Sequence, residues 1–136
     1  MAALFLSLTL QRQIVGRLTD SLEAQAIVGR ALLAREADLA SGADLFADRL
    51  GRELRLRVTV IAADGAVLGD TDLDGEALRT VENHAGRPEV VAALAKGEGR
   101  SVRYSHTLGT DLLYVAVRID PADATRGILR LSMPLD

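Results

Sequence analysis

Two short apolar runs lie in the middle of the chain, and an Asp-Gly pair separates them. In the first run Leu56, Val58 and Val60 alternate with polar residues, which predicts a β-strand with one apolar and one polar side. The pair Asp64-Gly65 predicts a hairpin with a type I′ turn, because that turn needs positive φ at both central residues. We therefore expect the segment 55–70 to begin an antiparallel sheet.

The chain before this hairpin has the spacing of a long helix. No Pro occurs between Leu4 and Ala40, and good helix formers dominate there. Apolar residues recur at three-and-four spacing, at Val15, Leu18, Leu22, Ala26, Gly29 and Leu33. The helix would be about 45 Å long and would have more apolar surface than one small domain covers. It is either one half of a parallel homodimer, through Val15, Leu18, Leu22 and Leu33, or a plain core helix that is interrupted once.

The remaining elements predict an α+β domain. Ser41-Gly42 is expected to end the long helix, and a shorter helix is expected from Asp44 to Leu54. After the hairpin come two short helices, the second with Pro88 at its first position and Gly97 after its end. Three strands are then expected, at Arg100 to Thr107, Asp111 to Ile119 and Gly127 to Met133, and the second is the most hydrophobic and should be central. This order is that of a PAS-like fold, a five-stranded antiparallel sheet with the long helix on one face and short helices on the other.

Composition and charge narrow the class of protein. The 136 residues suffice for one domain, and the net charge of −3 does not favour binding to nucleic acid. The absence of Cys excludes disulfides and thiolate metal sites. The apolar segment Met1 to Leu10 is too short to span a bilayer. It is interpreted either as the outer end of a transmembrane helix or as the first turns of a soluble amphipathic helix.

Arginines on the mixed face of the later strands form the candidate ligand site. Alternation puts Arg103, Ser105, Tyr114, Arg118 and Arg130 on the face that should look toward the short helices. Such a cavity would suit a small carboxylate or another anion. In the alternative interpretation the face is solvated, or its arginines pair with acidic residues of the covering segments.

Other polar residues give weaker signals. His84 and Arg87, with Asn83 and Glu89, either form the lip of the pocket or cap the helix that begins at Pro88 and hold the segment before it against the sheet. Neither His84 nor His106 has companions at the spacing of a zinc site or of a nucleophile. Asp70, Asp72 and Asp74 alternate as in a calcium loop, but Val81 stands where an EF-hand needs Glu, which favours a solvated turn. We therefore predict no catalytic residue, no metal and no cofactor, and hence no enzyme in this segment.

Four segments together resemble a known family. They are RVTVIAADGAVLGDT, ENHAGRPEVVAAL, GEGRSVRYSHTLGTDLLYVAVRI and GILRLSMPL, between Arg57 and Leu135. This ordered set resembles the extracytoplasmic sensor domain, of PDC/Cache type, of PhoR-like sensor histidine kinases. The resemblance implies a domain on the outer side of the membrane, with one transmembrane helix before it and one after it in a parent kinase. Residues 1–10 would then end the first membrane helix, 11–54 would be the helical segment and 55–136 the sensor core.

The function implied by the resemblance is signal input. A small anionic ligand or an extracytoplasmic partner protein would shift the two long helices of a homodimer, and the change would cross the membrane. The alternatives are the input domain of a chemoreceptor or cyclase-type receptor with the same fold, or a structural dimerisation module without a small-molecule ligand.

Overall fold

The computed structural model describes residues 2–136, so Met1, the first residue of the predicted membrane-helix end, lies outside the described residues. The elements in chain order are α1 (Ala2–Leu33), α2 (Leu39–Leu54), β1 (Arg57–Ile61), β2 (Val67–Asp70), α3 (Gly75–Thr80), α4 (Pro88–Lys96), β3 (Glu98–Ser105), β4 (Thr110–Asp120) and β5 (Asp123–Pro134).

The five strands form one antiparallel sheet in the order β2-β1-β5-β4-β3, which confirms the predicted sheet. The central strand is β5, however, and not the segment Asp111 to Ile119. Six consecutive residues of β5, 127–132, are buried because β1 and β4 flank this strand and helices cover both of its faces. β5 also begins earlier than predicted, since Asp123 already pairs with Asp120 across a short turn.

Helices α1 and α2 cover the aliphatic face of the sheet, as predicted. Leu22, Leu33, Leu113, Leu129 and Leu131 lie together in this core. Leu22 and Leu33 are fully buried there, so they are core residues, and their assignment to a dimer interface is wrong. Their apolar surface already packs against the chain's own sheet and is not free to meet a second copy.

The helical segment breaks earlier than predicted. The long helix ends at Leu33, and Ser41-Gly42 lies inside α2. Asp38 is the N-cap of α2: its side chain accepts a hydrogen bond from the Ser41 amide at 3.5 Å, and its carbonyl accepts one from the Gly42 amide at 3.0 Å. The break allows α2 to turn back and bury Ala43 and Ala47 against the sheet.

The hairpin between β1 and β2 is confirmed, but its turn is not type I′. Gly65 has φ +92°, whereas Asp64 is not among the residues with positive φ. The Gly65 amide donates to the Ala62 carbonyl at 2.9 Å, and the Ala62 amide donates to the Ala66 carbonyl at 2.8 Å. This is the pattern of a three-residue loop, a type I turn followed by one left-handed residue, so only the glycine has to be unusual.

Helix α4 covers part of the opposite face. It begins with Pro88 and is followed by Gly97 at φ +100°, both as predicted. Val90 and Ala93 pack on Ile61, Ala116 and Ile128 of the sheet.

Gly99 on β3 permits this close approach of α4. A Cβ at Gly99 would lie 2.2 Å from the carbonyl oxygen of Glu89. The contact fixes the first turn of α4 directly over the edge of the sheet, and it thereby sets the depth at which the Glu89 side chain enters.

Candidate functional site

Polar residues cross the α4 side of the sheet in one continuous row. Strand register places Thr59 of β1 between Asp70 of β2 and Arg130 of β5, and it places Tyr114 of β4 opposite Ser101 of β3. We call this set the polar row; it consists of Asp70, Thr59, Arg130, Tyr114, Ser101 and Arg103. The row lies next to the apolar residues on which α4 packs. Ile128 and Ala116 belong to those residues, and by strand alternation Arg130 and Tyr114 lie on the same face of the sheet as they do.

Glu89 of α4 lies at the centre of the row. Its side chain is fully buried. Oε1 accepts hydrogen bonds from the Ser101 hydroxyl at 2.8 Å and from Nη1 of Arg103, and Oε2 accepts from Arg103 Nη2 and Arg130 Nη1, both at 3.1 Å. Both carboxylate oxygens are therefore satisfied by charged or hydroxyl donors from the sheet, an arrangement that favours the ionised acid.

The ring of Tyr114 makes cation–π contacts with both guanidinium groups. The guanidinium carbon of Arg103 lies 3.9 Å from the centre of the ring, and that of Arg130 lies 4.9 Å from it. A cation over an aromatic face is stabilised by the ring quadrupole, more strongly where water is excluded. Tyr114 therefore positions the two arginines around one carboxylate.

The row continues from Arg130 to the β1–β2 edge of the sheet. Arg130 Nη2 donates to Thr59 Oγ1 at 3.2 Å, and the Thr59 hydroxyl donates to Asp70 Oδ2 at 2.8 Å. Asp70 is fully buried and pairs with Arg57 Nε at 3.1 Å. Within the described residues 2–136, the buried Nε of Arg130 has no hydrogen-bond partner.

The pKa values follow from these contacts. Burial opposes the charge of Glu89, but hydrogen bonds from Arg103, its own backbone and Ser101, with the charge of Arg130, lower its pKa from 4.5 to about 2. For Arg103, burial is likewise outweighed by Glu89, and the pKa is raised. For Arg130 burial prevails and the pKa is lowered, although Glu89 acts against the shift.

Three of the residues predicted from the sequence meet here, namely Arg103, Tyr114 and Arg130. Their arginines pair with an acidic residue of the covering helix, which was the alternative interpretation of this face. The polar row thus has the chemistry of a carboxylate-binding site, and in this conformation the carboxylate comes from the chain itself.

Arg118 and Ser105 are placed elsewhere. The Arg118 guanidinium donates to the carbonyls of Ala93 and Leu94 at 3.2 and 2.7 Å, and so caps the C-terminal end of α4. The Ser105 hydroxyl accepts a hydrogen bond from the Leu108 amide in the β3–β4 turn. Both residues make local structural contacts apart from the Glu89 carboxylate, and their part in a ligand site stays a prediction.

Arg87 and His84 also lie apart from Glu89. Arg87 pairs with Glu82 at 3.0 Å at the surface. His84 is buried, and its Nδ1 contacts the Glu82 carbonyl at 2.9 Å. Burial, followed by the nearby positive charge of Arg130, lowers the His84 pKa. These contacts correspond to the interpretation in which the segment before Pro88 holds the connection to α4 in place.

Thr59 and Asp70 were not predicted as parts of the site, and Glu89 was predicted only at the lip of the pocket, together with His84 and Arg87. The helix dipole alone explains an acidic residue in the first turn of α4. Nothing in the local sequence shows that the Glu89 side chain is buried against the sheet. Ser101 could have been found, because it shares a strand face with Arg103 by simple alternation. Thr59 and Asp70 become neighbours of Arg130 only through the pairing of β1 with β5.

The alternating aspartates do not form a calcium loop. The Asp70 carboxylate is occupied by Arg57, Thr59 and the Asp72 amide. Asp74 lies instead near Asp44 and Asp48, with carboxylate oxygens within 4.8 Å of one another. Burial, followed by the charges of Asp44 and Asp74, raises the pKa of Asp48.

A cleft of about 320 Å³ opens beside the polar row. Arg57, Leu112 and Ser132 line it together with Met133 and Pro134. Ser132 pairs with Tyr114 in the sheet, and Leu112 pairs with Arg103. The cleft therefore adjoins the site at the end that α4 leaves uncovered.

Comparisons with known proteins identify the fold. Neither protein-family models nor curated protein sequences give a match. Among solved structures, the sensor domain of the V. cholerae histidine kinase DctB aligns with 99% of this chain and 57% of its own, with TM-score 0.66 and 15% identity. The ligand-binding domain of the Campylobacter jejuni chemoreceptor Tlp3, in complex with L-valine, aligns with 93% of this chain and 56% of its own, with TM-score 0.64 and 13% identity. The chain thus spans little more than half of either protein.

The E. coli DcuS sensor domain is closer to this chain in size. It aligns with 87% of the chain and 90% of its own length, with TM-score 0.56 and 17% identity. By these similarities the chain has the PDC/Cache fold of these sensor domains, as the sequence predicted.

Among the helices of residues 2–136, none is long and apolar enough to cross a membrane.

Proposed function

We propose that this chain is the extracytoplasmic signal-input domain of a membrane receptor, most simply a sensor histidine kinase. Support comes from the fold, which is shared with sensor domains of two histidine kinases and with the ligand-binding domain of a chemoreceptor. The chemoreceptor is accordingly the second candidate. A PhoR-like parent, a cyclase-type receptor and a ligand-free dimerisation module stay predictions from the sequence.

The observation that carries the proposal is the extension of α1 beyond the core. All residues from 2 to 14 are exposed, although Leu4, Phe5, Leu6, Leu8 and Leu10 are among them. This part of the helix is about 20 Å long at 1.5 Å per residue. Apolar residues on all of its sides have no partner in the described domain, and a membrane surface and a second copy of α1 would supply one.

The second copy would bind a stripe of α1 that the core leaves free. Leu10, Ile14, Ala24 and Val28 are exposed and follow one line of three-and-four spacing, with Arg17 and Ser21 between them. On a helical projection the middle of this line lies more than 90° from Leu22, which faces the sheet. We propose this stripe as the homodimer contact, in place of the predicted set that included Leu22 and Leu33; Val15 and Leu18 are half-buried on the side of α1 that faces the sheet.

Signal transfer would use the end of the domain where α1 and β5 meet. Residues 11–18 of α1 and 133–136 after the buried part of β5 line one cleft, of about 510 Å³. A change in β5 would therefore act next to α1 at the end from which the exposed part of α1 extends. This arrangement suits a receptor that passes a small displacement along paired helices.

Cysteine cross-linking tests the proposal cleanly, because the chain has no Cys. Leu10→Cys and Val28→Cys should each form same-residue disulfide dimers on mild oxidation. Ile27→Cys is the matched control, since Ile27 is also exposed but points about 100° away from Val28. Equal cross-linking at Ile27, or none at Leu10 and Val28, would reject the proposed interface.

The same control variant tests the location. In cells that carry the parent protein, a membrane-impermeant maleimide should label Ile27→Cys before lysis. Labelling only after lysis would contradict the extracytoplasmic position.

A further inference from the structure

We propose that Glu89 is a built-in ligand: its carboxylate holds the place between Arg103 and Arg130 that a small external carboxylate would take. An external carboxylate must therefore displace Glu89, and with it the first turn of α4. The inference deepens the proposed input function, on which it rests for the meaning of that displacement as a signal.

The contacts of Glu89 are those of a bound carboxylate. Arg103 approaches both oxygens with its two terminal nitrogens, and Arg130 and Ser101 add one donor each. All of these donors belong to the sheet, whereas the carboxylate alone comes from α4. The sheet therefore carries a complete receptor for one carboxylate, independent of the helix that fills it.

The site also has more positive charge and more donors than Glu89 uses. Two guanidinium groups surround one carboxylate, and Arg130 is 3% exposed. Its Nε is buried and lacks a partner among residues 2–136. A buried donor without a partner is costly, so a small ligand that could also reach this nitrogen would gain a hydrogen bond that Glu89 does not make.

The route of entry for a ligand would be the cleft beside the end of the site that α4 does not cover. The 320 Å³ cleft reaches Ser132 and Leu112, which are the strand neighbours of Tyr114 and Arg103. The Arg103 side chain is 30% exposed. A carboxylate from solvent could thus meet Arg103 first and then compete for Arg130.

Displacement of Glu89 would loosen α4, because the remaining contact between this helix and the sheet is small and apolar. Val90 and Ala93 are the buried apolar residues of this nine-residue helix. Glu89 is the residue that joins α4 to the arginines by charged hydrogen bonds. Without that link the helix is held to the sheet by apolar contacts and by Arg118 at its other end.

Chemical rescue tests the inference. Glu89→Ala removes the fragment that acetate replaces, so the variant should lose thermal stability, and acetate at constant ionic strength should restore part of it. At ten times its dissociation constant, acetate should raise the Tm of the variant by about 5 °C. Acetamide, which has the same shape without the charge, should have no such effect.

Two proteins serve as controls for specificity. Acetate should not stabilise the wild type to the same extent, because Glu89 fills the site. It should also not rescue Glu82→Ala, which removes an exposed glutamate that pairs with Arg87. Equal stabilisation of all three proteins, or no rescue of Glu89→Ala, would overturn the inference.

Hydrogen exchange separates a built-in ligand from a simple structural ion pair. With acetate bound, Glu89→Ala should regain part of its Tm, but the amides of α4 should gain no protection and should still exchange faster than in the wild type, because acetate is not attached to the helix. Full recovery of α4 protection would contradict the displacement.

A second variant decides the matter if Glu89→Ala does not fold even with acetate. Glu89→Gln keeps the shape of the side chain, and its Tm should fall by about 10 °C without any response to acetate. A wild-type Tm in this variant would overturn the inference. The cross-linking of α1 is an independent measurement, so failure of the input proposal leaves this result intact and the two failures are distinguishable.

Discussion

Replacing Glu89 by Gln should change how the stability of the domain depends on pH. The substitution keeps the volume of a fully buried side chain but removes its charge and its proton. It leaves Arg103 and Arg130 around a neutral amide. The loss at neutral pH should therefore be large, because removing one partner of a buried ion pair leaves an uncompensated charge.

The magnitude follows from the pKa of Glu89. The folded protein lowers this pKa from 4.5 to about 2, a difference of 2.5 units. At 1.36 kcal/mol per unit the ionised carboxylate contributes about 3 kcal/mol. Since the folded pKa is the lower one, the unfolded chain takes up the proton first as the pH falls. The contribution is complete above about pH 4.5 and is lost as the pH falls toward 2.

Urea unfolding of both proteins at pH 7 and at pH 3 measures this term. Every other carboxylate titrates in both proteins, so the difference between their free energies of unfolding isolates Glu89. That difference should be about 3 kcal/mol at pH 7 and should shrink by roughly half at pH 3. An equal difference at the two pH values would refute the assigned ion pair, since the penalty would then come from shape or packing alone.

Two further predictions concern the segments that position Glu89. Gly99→Ala should destabilise the domain by about 1 to 3 kcal/mol in urea unfolding, because the new Cβ would collide with the Glu89 carbonyl; an unchanged midpoint would contradict the close approach of α4. His84→Gln should remove a loss of stability that the wild type shows as the pH falls below about 6.5. The His84 pKa is lowered by burial and by Arg130, so the unfolded chain takes up that proton first, and identical pH profiles between pH 5 and 7 would contradict this assignment.

Local patterns were sufficient to predict the sheet but not its order. Alternation along β1, β3, β4 and β5 identified the strands. One face of β1, β4 and β5 meets the aliphatic core, whereas the apolar residues of β3, Val102 and Tyr104, are exposed. The central position of β5 depends on pairing with β1, a contact between residues about 70 positions apart, such as Thr59 and Arg130. Hydrophobicity alone favoured β4 as the central strand. It could not separate β4 from β5, because both strands are buried on two faces.

The site was likewise predicted only in part, because local patterns show the face of a strand but not the depth of a covering helix. Alternation puts Arg103, Tyr114 and Arg130 on one face, and they meet because β3, β4 and β5 follow one another in the chain and pair as neighbours. The depth of Glu89 could not be predicted, because it depends on the close contact of α4 with Gly99. In the helical segment, spacing predicted the apolar stripe of α1, but it could not show whether residues such as Leu22 meet the sheet or a second copy of the helix; Leu22 meets the sheet.

Hydrogen bonds and strand continuity connect the carboxylate site with both helices of the opposite face. From Glu89 the chain of contacts runs through Arg130 and Thr59 to Asp70, whose amide donates to the Asp44 side chain of α2. Arg130 also lies on β5, and Met133 of this strand and Leu135 just after it pack against the core that α1 and α2 share. A carboxylate ligand that replaces Glu89 would still pair with Arg103 and Arg130. It would remove the link between α4 and the sheet without leaving an unpaired buried charge. Because the arginines stay neutralised in both states, the two conformations can differ by little free energy, which is what a small external ligand needs in order to shift the population.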